Sequence, residues 1–149
     1  MIKTATKEDA LTVAKLAIQM WEDNILEELA SKFEELIAAD DAQIFLKYAQ
    51  DQNGNNRAVG FAQCQLRYDY VEGTESSPVG YLEGIFIEET YREMGFAKEL
   101  LGACQTWAKE KGCTEFASDC ELDNTGSLKF HMAMGFEEAG RIICFTKKL

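Results

Sequence analysis

The segment Tyr81-Leu82-Glu83-Gly84-Ile85-Phe86-Ile87-Glu88-Glu89-Thr90-Tyr91-Arg92-Glu93-Met94-Gly95-Phe96-Ala97 carries the most chemistry in the chain. From Val79 to Ile87 an apolar run, interrupted by Glu83 and Gly84, reads as a buried strand. A short turn follows, then a helix whose first residues include Gly95 and the small Ala97. Free N–H groups at such a helix start, with little side-chain bulk over them, form a receptacle for phosphate oxygens. Gly95 would let an anion approach the backbone, and Arg92 and Lys98 would add positive charge. Neither G-x-G-x-x-G nor G-x-x-x-x-G-K-(S/T) occurs, which disfavours dinucleotide and P-loop sites. Taken alone, Arg92-x-x-Gly95-x-Ala97 also fits an ordinary strand–turn–helix.

Other chemistries are poorly supplied. Five cysteines (Cys64, Cys104, Cys113, Cys120, Cys144) form no C-x-x-C pair, and His131 is the only histidine. An odd, scattered set argues against a disulfide framework and a zinc site, and suits buried thiols in a reducing cytosol. A net charge of −11 repels nucleic-acid phosphates and anionic membranes and favours cationic ligands. Solubility alone would also explain it. No apolar run approaches the roughly 18–20 residues that span a bilayer. Met1-Ile2-Lys3-Thr4 lacks an apolar signal core. A soluble cytoplasmic protein is expected.

The elements that would position this segment are legible as patterns. Ile2 to Ala5 reads as a strand, and Thr6-Lys7-Glu8-Asp9 as a capping-box start. Leu11, Ala14, Ile18 and Trp21 then make one helical stripe, and Ile25, Leu29, Phe33, Leu36 and Ile37 a second. Ala42 to Ala49 reads as a strand and 51–56 as a turn. Beyond Arg57, Ala62, Cys64, Leu66, Tyr68 and Tyr70 alternate onto one face. A helix is expected from about Glu93 to Lys111, stopped by Gly112, then a strand over Thr114 to Ser118. Asn124 to Met134 reads as a helix ended by Gly135, and Phe136 to Lys148 as one or two last strands. The order β-α-α-β-β-β-α-β-α-β describes one α/β domain over residues 1–149.

About thirty residues beyond Arg92-x-x-Gly95-x-Ala97 come Asn124 and His131-Met132-Ala133-Met134-Gly135-Phe136. Strand, (Q/R)-x-x-G-x-(G/A), helix and a distal helix ending in Gly-Phe resemble the GNAT superfamily of N-acetyltransferases over essentially the whole chain. Arg67-Tyr68-Asp69-Tyr70-Val71-Glu72-Gly73, Ser76-Ser77-Pro78-Val79, Leu82-Glu83-Gly84-Ile85-Phe86 and Ala117-Ser118-Asp119 more narrowly resemble the aminoglycoside 6′-N-acetyltransferases. The resemblance implies a GNAT fold, a central mixed twisted sheet flanked by about four helices. It also implies acetyl-CoA as co-substrate, no metal, a homodimer, and acetylation of a cationic aminoglycoside, an activity of the antibiotic-resistance type.

By that likeness, backbone groups of Ile85, Phe86 and Ile87 would pair with the pantetheine arm and polarise the thioester. Amides from Glu93, Met94, Gly95, Phe96, Ala97 and Lys98, with Arg92 beside them, would hold the pyrophosphate. Asn124 would contact the pantetheine. Relatives often carry basic residues at the positions of Glu93 and Met94, and some an acid at that of Gly140. Glu83 is the expected general base, since burial in an apolar strand raises a carboxyl pKa. Asp119 would bind a substrate ammonium, or is a turn-forming aspartate. Trp21 and Tyr70 match sugar contacts, although Trp21 also suits core packing. His131 stands where many GNAT enzymes have a tyrosine general acid, and a structural histidine is the rival reading. A ping-pong route through Cys120 finds no paired base in the sequence. Two rival functions keep the fold: a polyamine, metabolite amine or protein lysine as acceptor, or an acyl-CoA-binding module without turnover.

Overall fold

The computed structural model describes residues 1–149. Along the chain run β1 (Ile2–Thr4), α1 (Ala10–Ala17), α2 (Leu26–Ala38), β2 (Ala42–Gln50), β3 (Asn56–Arg67), β4 (Val79–Ile87), α3 (Phe96–Glu110), β5 (Phe116–Ser118) and α4 (Thr125–Ala133). Short 3₁₀ turns at Lys7–Asp9 and Glu89–Tyr91 precede α1 and α3. The five strands form one mixed sheet in the order β1-β2-β3-β4-β5. All neighbours are antiparallel except β4 and β5, which are parallel.

Period-2 alternation sorts the strand residues between two apolar layers. Ile44, Leu46 and Phe61 face α1 and α2 and pack with Val13, Ala14, Leu29 and Phe33. Phe45, Ala62, Cys64, Leu66 and Leu82 face the other way, against Leu100, Leu101, Cys104 and Trp107 of α3. At the start of the helical layer, Asp9 closes the turn by accepting from the Thr6 amide at 2.8 Å and pairing with Lys3 at 2.9 Å. Those partners pull its carboxyl below the usual range despite an opposing burial effect, the largest single influence on it.

Four expectations need correction. Leu11 is exposed, because the short α1 turns Ala10, Val13, Ala14, Leu16 and Ala17 inward instead. Tyr68 and Tyr70 lie beyond the end of β3 and are exposed. Helix α3 begins at Phe96, since Glu93 (φ 63°) and Gly95 (φ 81°) adopt left-handed backbone that no helix accommodates. Phe136 to Lys148 forms no strand: a β-prone run needs a sheet edge, and this one meets none within the chain.

Candidate active site

The site begins with a fault in the sheet. Gln63 of β3 pairs with Gly84 and Cys64 with Leu82, so Glu83 is the extra residue of a β-bulge. Bulges bend a strand and re-aim the side chain they carry. Parallel pairing with β5 stops nearby, at Leu82 opposite Ser118. From Glu83 to Ile87, β4 therefore has a strand partner on one side only. Ile85, Phe86 and Ile87 occupy this open stretch, the first two half-buried and Ile87 buried.

The turn after β4 is held by Arg92, whose Nε donates to the Ile87 carbonyl at 2.8 Å. One arm of that guanidinium is thus spent on structure, leaving its Nη groups for an anion. Beyond it, the amides of Glu93, Met94, Gly95, Phe96, Ala97 and Lys98 donate to no backbone acceptor. Successive free N–H groups across left-handed and right-handed residues form a concavity suited to an anion. At the head of α3 the helix dipole adds to it. The side chains of Glu93, Met94 and Lys98 point to solvent, so the first two leave the amides uncovered. This cradle and the half-open β4 fit a long ligand with a pyrophosphate.

Glu83 faces the α2 side of the sheet. With Trp21, Asn24, Leu29, Lys32, Phe33 and Gln63 it lines a cleft of about 250 Å³. Trp21 is both wall and packing residue. Its indole stacks on Phe33 with centroids 6.5 Å apart and meets Phe61 edge-on. It also lies so close over Gly84 that a Cβ there would sit 2.9 Å from the ring. The residue beside Glu83 is therefore a glycine for lack of space. Burial raises the Glu83 carboxyl above its usual range, partly offset by Arg67, with the charge of Asp119 adding to the rise. A second cleft of about 450 Å³, between α1 and the ends of β2 and β3, includes none of the residues given a catalytic or binding role above.

Asp119 follows β5 directly and accepts a hydrogen bond from the Tyr81 hydroxyl. Burial and this carboxylate push the Tyr81 phenol well up, so it stays a donor. Tyr70, 75% exposed, does not line the Glu83 cleft. His131 bridges α4 to the point where β4 and β5 part. Its Nδ1 lies 2.7 Å from the Ser127 carbonyl and its Nε2 2.9 Å from the Ser118 hydroxyl. The carbonyl can only accept, so Nδ1 donates to it and Nε2 is the nitrogen turned to the Ser118 hydroxyl. Asn124 caps α4 by accepting from the Ser127 amide at 3.1 Å, which leaves its NH₂ group free to donate. Cys120 is a free, exposed thiol. Near Gly140, the Glu72 carboxylate comes within 3.8 Å of where a side chain would begin.

Sequence reasoning assigned no role to Arg67, Tyr81, Lys32, Gln63 or Ser118. Arg67 and Tyr81 were visible within motifs, but their meeting depends on the register of β3 against β4 across an eleven-residue connection. No local signal encodes that register.

The model of the acetyltransferase (GNAT) family matches residues 11–136. An aminoglycoside N(6′)-acetyltransferase type 1 of Salmonella typhimurium is 42% identical over 130 residues, covering 87% of this chain and 86% of that protein. The enzyme of the same description from Stenotrophomonas maltophilia is 39% identical, covering 99% and 93%. Among solved structures, AAC(6′)-Iy in complex with the bisubstrate analog CoA-S-monomethyl-acetylneamine superposes with a TM-score of 0.92 at 38% identity, over 100% of this chain and 98% of that one. Apo AAC(6′)-Ig from Acinetobacter haemolyticus gives 0.91 at 34%, covering 100% and 99%.

Proposed function

The chain belongs to the acetyltransferase (GNAT) family, and from that premise we propose that it acetylates an amino group of an aminoglycoside, the 6′-amine, by direct attack and without an acetyl-enzyme. It is an acetyl-CoA-dependent N-acetyltransferase, and residues 1–149 act as one catalytic domain. The observation that carries the substrate reading is the cleft itself. A half-buried carboxylate at a bulge opens into it beside Trp21, and Asp119 is linked to that carboxylate through Arg67 and Tyr81. Two anionic groups near an aromatic wall suit a polycationic aminosugar.

Acetyl-CoA supplies an activated thioester carbonyl when bound. The chain's residues then do the following work. Amides of Glu93 through Lys98 hold the pyrophosphate, and the open side of β4 at Ile85, Phe86 and Ile87 holds the pantetheine arm, joined by the Asn124 amide. Glu83 takes the proton that the ammonium must lose before its nitrogen attacks, directly or through one water. A backbone N–H on this stretch of β4 stabilises the developing oxyanion. As the C–S bond breaks, the attached nitrogen gives its second proton to water, and His131 Nε2, hydrogen-bonded to the Ser118 hydroxyl, supplies a proton to the leaving thiolate. Asp119 and Trp21 hold the acceptor's other groups.

Thiol release from acetyl-CoA is the direct test, with kanamycin or tobramycin as acceptors and spermidine and lysine peptides in parallel. Aminoglycoside-dependent release at least about tenfold above every other acceptor, a preference of about 1.4 kcal/mol, is expected. Release with polyamines or peptides alone would overturn the substrate and leave the chemistry standing. Binding of acetyl-CoA with no acceptor turned over would sink the enzymatic reading.

The working site is the cytoplasm, where acetyl-CoA is available and five free cysteines remain reduced. A homodimer is supported by the tail. Ile142, Ile143 and Phe145 are 78%, 81% and 87% exposed, in a run that pairs with nothing, while β5 is an unpaired sheet edge. Burying each such side chain contributes about 1.5–3 kcal/mol, enough together to hold two copies. Light scattering should give a dimer that Ile143→Lys with Phe145→Lys converts to monomer. A monomeric parent chain would end the dimer proposal.

A further inference from the structure

Glu83 is also held by a residue that does not line its cleft. Arg67, the last residue of β3, donates from Nε and Nη2 to the two Glu83 oxygens, both at 2.9 Å. Nη2 also lies 2.8 Å from Oε1, so two guanidinium nitrogens hold both oxygens and restrain the carboxylate's orientation as well as its position. The same guanidinium carbon lies 3.4 Å from the centroid of the Tyr81 ring. Tyr81 is only 5% exposed, and its hydroxyl donates to Asp119. Glu83, Arg67, Tyr81 and Asp119 thus make one continuous chain of contacts, joining the bulge of β4 to the end of β5.

We propose that Arg67 is a positioning residue for acetyl transfer, fixing the orientation of the Glu83 carboxylate and coupling it through Tyr81 to Asp119. The catalytic meaning of this arrangement rests on Glu83 serving as the base. A carboxylate with both oxygens engaged by one guanidinium turns far less freely than an unheld one. Its remaining lone pairs stay aimed at the cleft, where the acceptor nitrogen must lose its proton. The charged and titratable groups facing Glu83 are Arg67 from β3, Tyr81 from β4, Asp119 beyond β5 and Lys32 from α2. Of these, Arg67 alone contacts it through a fork.

The consequences separate charge from geometry. Arg67→Met keeps a chain of similar length over Tyr81 and removes the charge and both bonds. Glu83, with 19% of its side chain exposed, then loses its compensating cation and holds its proton to higher pH. Arg67→Lys keeps the cation and loses the fork, so the carboxylate can turn while its proton affinity stays close to that of the parent.

The test uses the full chain in two ways. Carbon-13 NMR of labelled glutamate, with Glu83 assigned through Glu83→Gln, follows the carboxyl titration without any substrate. In Arg67→Met it should move up by about one unit, a tenfold change in proton affinity, and in Arg67→Lys by much less. The acid limb of kcat/KM should move with it. kcat should fall about tenfold or more in both variants, with KM for acetyl-CoA unchanged. An unshifted Glu83 titration in Arg67→Met overturns the proposal, as does an equal kcat loss in both variants with no movement of the pH profile. Full activity in Glu83→Gln is a different result, which removes the base assignment and with it the catalytic role of Arg67.

Discussion

Glu83→Gln should lower kcat/KM for the acceptor by about 10²–10⁴-fold, the span that one positioned general base contributes. Glutamine fits the bulge, keeps one oxygen for Arg67 and cannot take a proton. Binding of acetyl-CoA should be untouched, because the cradle at residues 93–98 lies beyond the far end of β4. The pH dependence carries the sharper signature. Burial places the Glu83 carboxyl above the ordinary glutamate range, so the ionised, competent form is lost as pH falls through that raised value. The parent's kcat/KM should therefore fall on the acid side at higher pH than an exposed glutamate would dictate, and the variant should lack that step. The acceptor ammonium contributes its own step at higher pH, and that one should survive. A variant with more than a tenth of parental kcat/KM, or with the acid step intact, would remove Glu83 from the proton path.

This residue also shows where sequence reading succeeds and where it stops. A single acid in an apolar strand is conspicuous in a linear pattern, and so is a glycine-opened helix after that strand. The alternation of Ala62, Cys64 and Leu66 onto one face was equally plain, because period-2 burial is written locally. Arg67 had no such signature. Its partner is sixteen residues away, across a connection whose path sets the register, and the bulge at Glu83 shifts that register by one. The last segment failed for a related reason. Arg141 to Thr146 has the composition of a strand, but a strand exists only where an edge accepts it, and no edge within the chain does. Tyr70 was placed by continuing the alternation of β3 past Arg67, where the strand had already ended.

Gly95→Val should raise KM for acetyl-CoA by about 100-fold, equivalent to about 2.7 kcal/mol of lost binding. Gly95 has φ 81°, and left-handed backbone costs an L-residue roughly 1–2 kcal/mol, more for a β-branched one. Valine would escape by changing φ, and the amides on either side would then stop converging on one point. No atom lies within 4 Å of the new Cβ position, so the core is not overpacked and the protein should still fold. The stability loss should stay within the backbone cost, a fall in Tm of about 2–8 °C for a chain of this size. Gly54 supplies the control. It has nearly the same backbone (φ 79°), equally open surroundings, and lies in the turn between β2 and β3. Gly54→Val should cost similar stability and leave the KM for acetyl-CoA where it was. A rise in both variants would mean that the loss reflects general loosening of the fold. A KM within twofold of the parent in Gly95→Val would mean that the pyrophosphate does not sit on this turn. A rise confined to Gly95→Val would assign the phosphates to the amides of residues 93–98, since only the convergence of those donors differs between the two glycines.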